Sequence, residues 1–215
     1  LTAPAGTYFV RYQIVFQGDA NNSGGSVYFD DLNLSRVSGA PYGNRNIVWS
    51  DEFNGDSLNA SVWTHDTGNS GWGNNELEYY TSRTNNAYVA NGELHIVARK
   101  EAYGGASYTS ARLKSQGLFS RKCGRIELRA KLPQGTGCWP ALWLLGTNIS
   151  SIGWPGCGEI DVMESNGSKP LVVQASIHSG SDATGYYDFF DGSSVTNFHT
   201  YTLDWTTNAM LFYVD

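Results

Sequence analysis

Glu159, Asp161 and Glu164 place three carboxylates within one short run, Gly158-Glu159-Ile160-Asp161-Val162-Met163-Glu164-Ser165, that is otherwise apolar and strand-like. Two carboxyl groups on either side of a sugar can cleave a glycosidic bond. One protonates the leaving oxygen, and the other attacks as a nucleophile or activates water. A third acid tunes the other two, because packed like charges push one pKa up and keep a proton on an acid near neutral pH. The same acids would also suit a solvated strand face or a calcium site built from oxygen ligands. The elements that position them have to decide.

On a β-strand, side chains alternate faces, so Glu159 and Asp161 share one face while Ile160 and Val162 share the other. Glu164 breaks that parity. In an unbroken strand it would join the apolar side, where a buried carboxylate costs on the order of several kcal/mol unless it is paired or neutralised. A one-residue bulge at Val162-Met163 removes the conflict and turns all three acids to one face; bulges are common beside active sites. Upstream, Trp139-Pro140-Ala141-Leu142-Trp143-Leu144-Leu145 alternates with the same period. Trp139, Ala141 and Trp143 face one way, and Leu142 and Leu144 face the core of a sandwich. Aromatic faces set opposite a core are platforms for the apolar faces of sugar rings. Both tryptophans could instead be core residues.

These segments together resemble glycoside hydrolase family 16, in particular its bacterial laminarinase-type endo-β-1,3-glucanases. The likeness extends in order through Ser50-Asp51-Glu52-Phe53-Asn54-Gly55, Gly71-Trp72-Gly73-Asn74-Asn75-Glu76, Asn91-Gly92-Glu93-Leu94, Thr109-Ser110-Ala111-Arg112-Leu113, Trp154-Pro155-Gly156-Cys157 and Phe198-His199-Thr200-Tyr201. It implies an all-β, concanavalin-like β-sandwich (jelly roll) of two antiparallel sheets, with a substrate cleft on the concave sheet. It also implies a retaining mechanism. Glu159 would be the nucleophile, Glu164 the general acid/base, and Asp161 the carboxylate that orients and tunes Glu159. The acidic motif has one residue more than the Glu-x-Asp-x-Glu form, and this longer form is typical of laminarinases in the family. By the same resemblance His178 makes hydrogen bonds beside the acidic strand, and Asn74 and Arg112 line the cleft and bind sugar hydroxyls; with Trp139 and Trp143, read above as platforms, they make up the expected substrate-binding set. Glu52 and Gly92 match places where relatives hold a structural calcium through backbone oxygens, with an acidic ligand from a C-terminal strand. No cofactor is needed for the chemistry.

Composition agrees with an extracellular all-β polysaccharide enzyme without identifying one. In 215 residues there are 25 Gly, 13 Tyr and 7 Trp, and short alternating runs between Gly/Asn/Ser clusters favour strands and turns over helices. No helix is read anywhere. The net charge of −6 repels nucleic acid and anionic lipid and suits a neutral glucan better than a sulfated one. No run of apolar residues is long enough to span a membrane. A secreted monomer acting on β-glucan is the expectation. Hydrolysis of mixed-linked glucan or of a galactan, and non-catalytic glucan binding on the same fold, are the alternatives.

Cys123, Cys138 and Cys157 are too few and odd in number for a disulfide framework, so free, mostly buried thiols are expected. Asn148-Ile149-Ser150 and Asn166-Gly167-Ser168 match the glycosylation triplet. His199 opens an alternating run and reads as structural. Residues 1–37 read as the remnant of a β-sandwich carbohydrate-binding module. In it Tyr8, Val10, Tyr12, Ile14 and Phe16 line one face of a first strand, and Ser26–Leu34 forms a second strand of the same hairpin. Residues 38–46 read as a linker, and 47–215 as the catalytic domain. That last stretch is shorter than the roughly 200–250 residues common for such a fold, so it is expected to be incomplete at its C-terminus, poorly stable and inactive in isolation.

Overall fold

The period-two pattern read from the sequence becomes strands with one buried and one open face. Ile126, Leu128 and Ala130 are buried, while the alternating Arg125, Glu127 and Arg129 are only partly covered. The computed structural model describes the backbone of residues 8–16, 24–36 and 46–215 apart from 191, and side chains from residue 47 onward with the same exception. The strands, in chain order, are β1 (Tyr8–Phe16), β2 (Gly24–Arg36), β3 (Asn46–Asp51), β4 (Thr64–Asp66), β5 (Glu78–Tyr80), β6 (Ala87–Ala90), β7 (Glu93–Tyr103), β8 (Ala106–Ser110), β9 (Arg112–Lys114), β10 (Gly124–Lys131), β11 (Cys138–Gly146), β12 (Glu159–Glu164), β13 (Val172–His178), β14 (Ala183–Asp188), β15 (His199–Trp205) and β16 (Met210–Val214). One helical turn, α1 (Ile149–Ile152), follows Asn148. It is the only departure from the helix-free reading among the described residues, and at four residues it is too short to be seen as a periodic pattern.

Two sheets form. The first runs β14-β13-β12-β11-β1-β9-β4 and the second β16-β15-β10-β2-β7-β8-β5, with β3 and β6 pairing on to β2 and β7. The pairing is antiparallel except between β5 and β8, which run parallel. Leu142, Leu144, Ile160, Val162 and Met163 from the first sheet share one apolar core with Ile126, Leu128, Leu203 and Trp205 from the second. All three cysteines are free thiols; Cys138 and Cys157 are buried and Cys123 is partly covered. His199 is structural as read, with Nδ1 2.7 Å from Asp215 Oδ2 and its ring against Phe189.

The N-terminal segments are strands, as expected, but they do not pair with each other as a hairpin. β1 lies between β11 and β9 in the first sheet, and β2 lies between β10 and β7 in the second. The register supplies the reason for β1. Val10 stands opposite Leu144, Tyr12 opposite Leu142 and Phe16 opposite Cys138, so the alternating apolar set of β1 falls in register with the core-facing set of β11. β1 and β2 thus contribute one strand to each of the two sheets. The expected linker lies outside the described residues except for Asn46, which opens β3.

A cavity of about 470 Å³ lies between the sheets, walled by Val162, Val173, Ile177, Tyr201 and Phe212 among others. It is on the core side of β12 and apart from the acids, which occupy that strand's other face.

Candidate active site

The acids are brought together by an irregularity in two ladders at once. On one side of β12, Leu142 pairs with Met163 and Trp143 with Asp161, which leaves Val162 as the extra residue. On the other side, Asp161 pairs with Ser176 and Glu164 with Gln174, so Val162 and Met163 together face Ala175 alone. This is the bulge the parity of the sequence requires. Val162 and Met163 are both buried in the core, and Glu164 returns to the face that carries Glu159 and Asp161.

Each acid has a different environment. Glu164 is gripped at both oxygens: Trp139 donates its indole N–H to Oε1 at 2.8 Å, and Gln174 donates its amide N–H to Oε2 at 3.1 Å. Asp161 is 2% exposed. His178, opposite Glu159 in register, sits with Nε2 3.3 Å from Asp161 Oδ2 and Nδ1 3.0 Å from Asp182 Oδ2. Burial, and then the Asp161 charge, push the Glu159 carboxyl up to about 8. Burial also raises Asp161, to about 6, although the contact with His178 pulls it back. The same contact with Asp161 lifts His178 to about 9. Near neutral pH the hydrogen-bonded Glu159–Asp161 pair therefore keeps a proton between its members, and a protonated His178 balances its remaining charge.

The other residues singled out from the sequence are placed unequally. Trp139 is half-buried beside Glu164. Trp143 lies on the acid-bearing face as read, but it is 6% exposed and packs with Ala141, Leu145 and Cys157. Arg112, on β9, is 5% exposed. Its Nε is 3.3 Å from Asp66 Oδ2 and its Nη1 3.7 Å from Glu76 Oε1. Its guanidinium lies 4.8 Å from the ring centre of Trp72 and 4.9 Å from that of Trp143. So held, Arg112 forms the wall of the site, and its positive charge favours the ionised form of Glu159. Asn74 is exposed at the rim and donates to Glu76 Oε1 at 3.3 Å. Gln174 and Asp182 were missed by sequence reasoning. Gln174 alternates in phase with His178, two steps away on the same strand, and that spacing was the available signal.

Glu159, Asp161 and His178 offer ligand atoms within 4.8 Å of one another, which is the geometry of a possible metal site. All three are already engaged in the proton-sharing cluster. Glu52 and Gly92 come to a separate corner. A Cβ added at Gly92, whose φ is +76°, would meet Asn54 Oδ1 at 3.9 Å, so the 91–92 turn abuts the 52–54 stretch. The register of β2 sets Phe29 opposite Leu94 and Leu32 opposite Asp51. The backbone at Asp30–Asp31 therefore passes between these two segments.

A two-sheet β-sandwich that carries two glutamates and an aspartate on one bulged strand presents the paired carboxyl groups that glycosidic-bond cleavage requires. Residues 73–215 match the profile of Glycosyl hydrolases family 16, and the chain belongs to that family. It is 43% identical to a beta-glucanase of Rhodothermus marinus over 79% of this chain and 62% of that protein. It is 34% identical to glucan endo-1,3-beta-glucosidase A1 of Niallia circulans over 98% of this chain and 34% of that protein. The laminarinase catalytic domain of Thermotoga maritima superposes with a TM-score of 0.75 at 42% identity, over 79% of this chain and 74% of that one. The chain thus spans less than two thirds of the length of both of the first two relatives.

Proposed function

We propose that the protein hydrolyses internal β-1,3-glucosidic bonds of laminarin-like glucans with retention of configuration. The observation that carries this reading is the β12 bulge, which sets Glu159 and Glu164 on one face with Asp161 between them. Glu164, oriented by Trp139 and Gln174, gives its proton to the leaving oxygen. Glu159 hands the shared proton to Asp161 and attacks the anomeric carbon as a carboxylate, forming a glycosyl ester. Water then enters, Glu164 takes its proton, and the ester is hydrolysed. In such enzymes the two carboxyl groups stand about 5–5.5 Å apart. Asp161 holds the proton that Glu159 must shed, and His178 keeps that exchange close to neutral in charge.

The similarity to a beta-glucanase, a glucan endo-1,3-beta-glucosidase and a laminarinase supports β-1,3-glucan as the substrate; that the protein acts as a secreted monomer is part of the same proposal. No described helix is long and apolar enough to cross a membrane. A structural calcium at Glu52 and Gly92, away from the acids, would stiffen the sandwich; chelation is expected to lower Tm without changing the pattern of products. Product analysis on laminarin, lichenan, agarose and carrageenan, beside Glu159→Gln, tests the main reading. Laminarin is expected to be cut into oligosaccharides of retained configuration. Undiminished hydrolysis by Glu159→Gln, or preferred cleavage of a galactan, would overturn it.

A further inference from the structure

One row of residues crosses the acid-bearing sheet at the level of the general acid. Ala141 on β11 pairs with Glu164 on β12, Glu164 with Gln174 on β13, and Gln174 with Tyr186 on β14. Directly paired residues share a face. Tyr186 therefore stands on the same face as Glu164, while its neighbour Tyr187 pairs with Val173 on the core side and its ring meets Phe189 at 5.0 Å. Tyr187 has an apolar partner. Tyr186, 69% exposed, presents its ring to solvent on the edge strand of this sheet.

Position along β12 decides what that ring faces. Glu164 protonates the leaving oxygen, so the departing part of the substrate lies at its end of the strand. Glu159 is at the other end, beside His178, and the β13–β14 ladder stops at Ile177 and Ala183 before reaching that level. Tyr186 thus belongs to the leaving-group end. It is two strand spacings from Glu164, about 10 Å, which is the reach of a second sugar ring beyond the cleaved bond.

We propose that Tyr186 is a stacking platform for the second glucosyl residue on the leaving-group side, a specificity-determining contact; this rests on Glu164 being the acid of a β-1,3-glucanase. The ring offers a flat apolar face to the sugar, and its hydroxyl gives a polar tip at the rim. Its ring is mostly exposed on an edge strand, so Tyr186→Ala is expected to leave folding intact.

The test is steady-state kinetics of Tyr186→Ala and Tyr186→Phe on laminarihexaose and on a nitrophenyl β-laminaribioside, whose leaving group ends at the first position. For Tyr186→Ala, KM on the hexaose is expected to rise about tenfold and the cleavage pattern to move towards shorter released fragments, while kinetics on the aryl substrate stay at the wild-type level. Tyr186→Phe is expected to keep wild-type KM on both. Unchanged hexaose kinetics in Tyr186→Ala, or an equal loss on both substrates, would overturn the assignment. Wild-type protein that cleaves the aryl glycoside but no laminarioligosaccharide would instead overturn the β-1,3-glucanase reading itself.

Discussion

Replacing Glu159 by Gln is expected to abolish hydrolysis and, at neutral pH, to make the protein more stable. Three groups in the site hold protons more tightly folded than unfolded: Asp161 rises from 3.8 to about 6, Glu159 from 4.5 to about 8 and His178 from 6.5 to about 9. Wherever the folded state binds more protons, stability falls as pH rises. For Glu159 the penalty is absent below pH 4.5, grows through neutrality and is complete above about pH 8. His178 acts in the same direction, its stabilising contribution being full below pH 6.5 and lost as pH passes about 9. At 1.36 kcal/mol per pKa unit, the ionisation that Glu159 forgoes between its unfolded value of 4.5 and pH 7 is worth about 3 kcal/mol. Glutamine keeps the shape and removes the titration. Urea unfolding of both proteins at pH 4.5, 7 and 8.5 should show nearly equal stabilities at the lowest pH and a widening gap above it. In a chain of this length the gap at pH 7 corresponds to a Tm rise of roughly 5–10 °C. A variant less stable than wild type at pH 8.5, or a gap independent of pH, would refute the claim that burial keeps this carboxyl protonated.

Gln174→Leu removes one of the two donors that orient Glu164; kcat on laminarin should fall about 10- to 100-fold with KM little changed, as read from initial rates. Arg112→Met removes the guanidinium from the buried Asp66 and Glu76 while Lys114 stays paired with Asp66 and Asn74 with Glu76, and denaturant unfolding should register a loss of about 2–3 kcal/mol. Gly146→Ala would set a Cβ 2.0 Å from the Cys157 carbonyl oxygen, where the chain leaving β11 passes the chain entering β12. A loss of about 2–4 kcal/mol in the same assay is expected, with activity reduced through displacement of Glu159.

The acidic strand was legible almost completely from its residues. A period of two is a local property, so Ile160 and Val162 fix the core face, and Glu164 then requires a bulge at a definite place. The ladders of β12 put it there. The alternation of Trp139, Ala141 and Trp143 against Leu142 and Leu144 was equally local, and it gave the correct faces. It could not say how deeply each ring is covered. Trp143 is buried because Arg112 lies over it and Cys157 packs against it, and both come from distant parts of the chain.

What one strand places beside another follows from register, which nonlocal pairing sets. Gln174 beside Glu164, Asp182 behind His178, Tyr186 at the end of their row, and the entry of β1 and β2 into separate sheets are all of that kind. The sequence by itself determined which three carboxylates share a face and that a bulge must bring them there, because side-chain alternation needs only neighbours along the chain. Only the tertiary structure decided which of them is buried to share a proton and which is gripped by an indole and an amide, because burial and cross-strand partners exist only once the sheets have assembled.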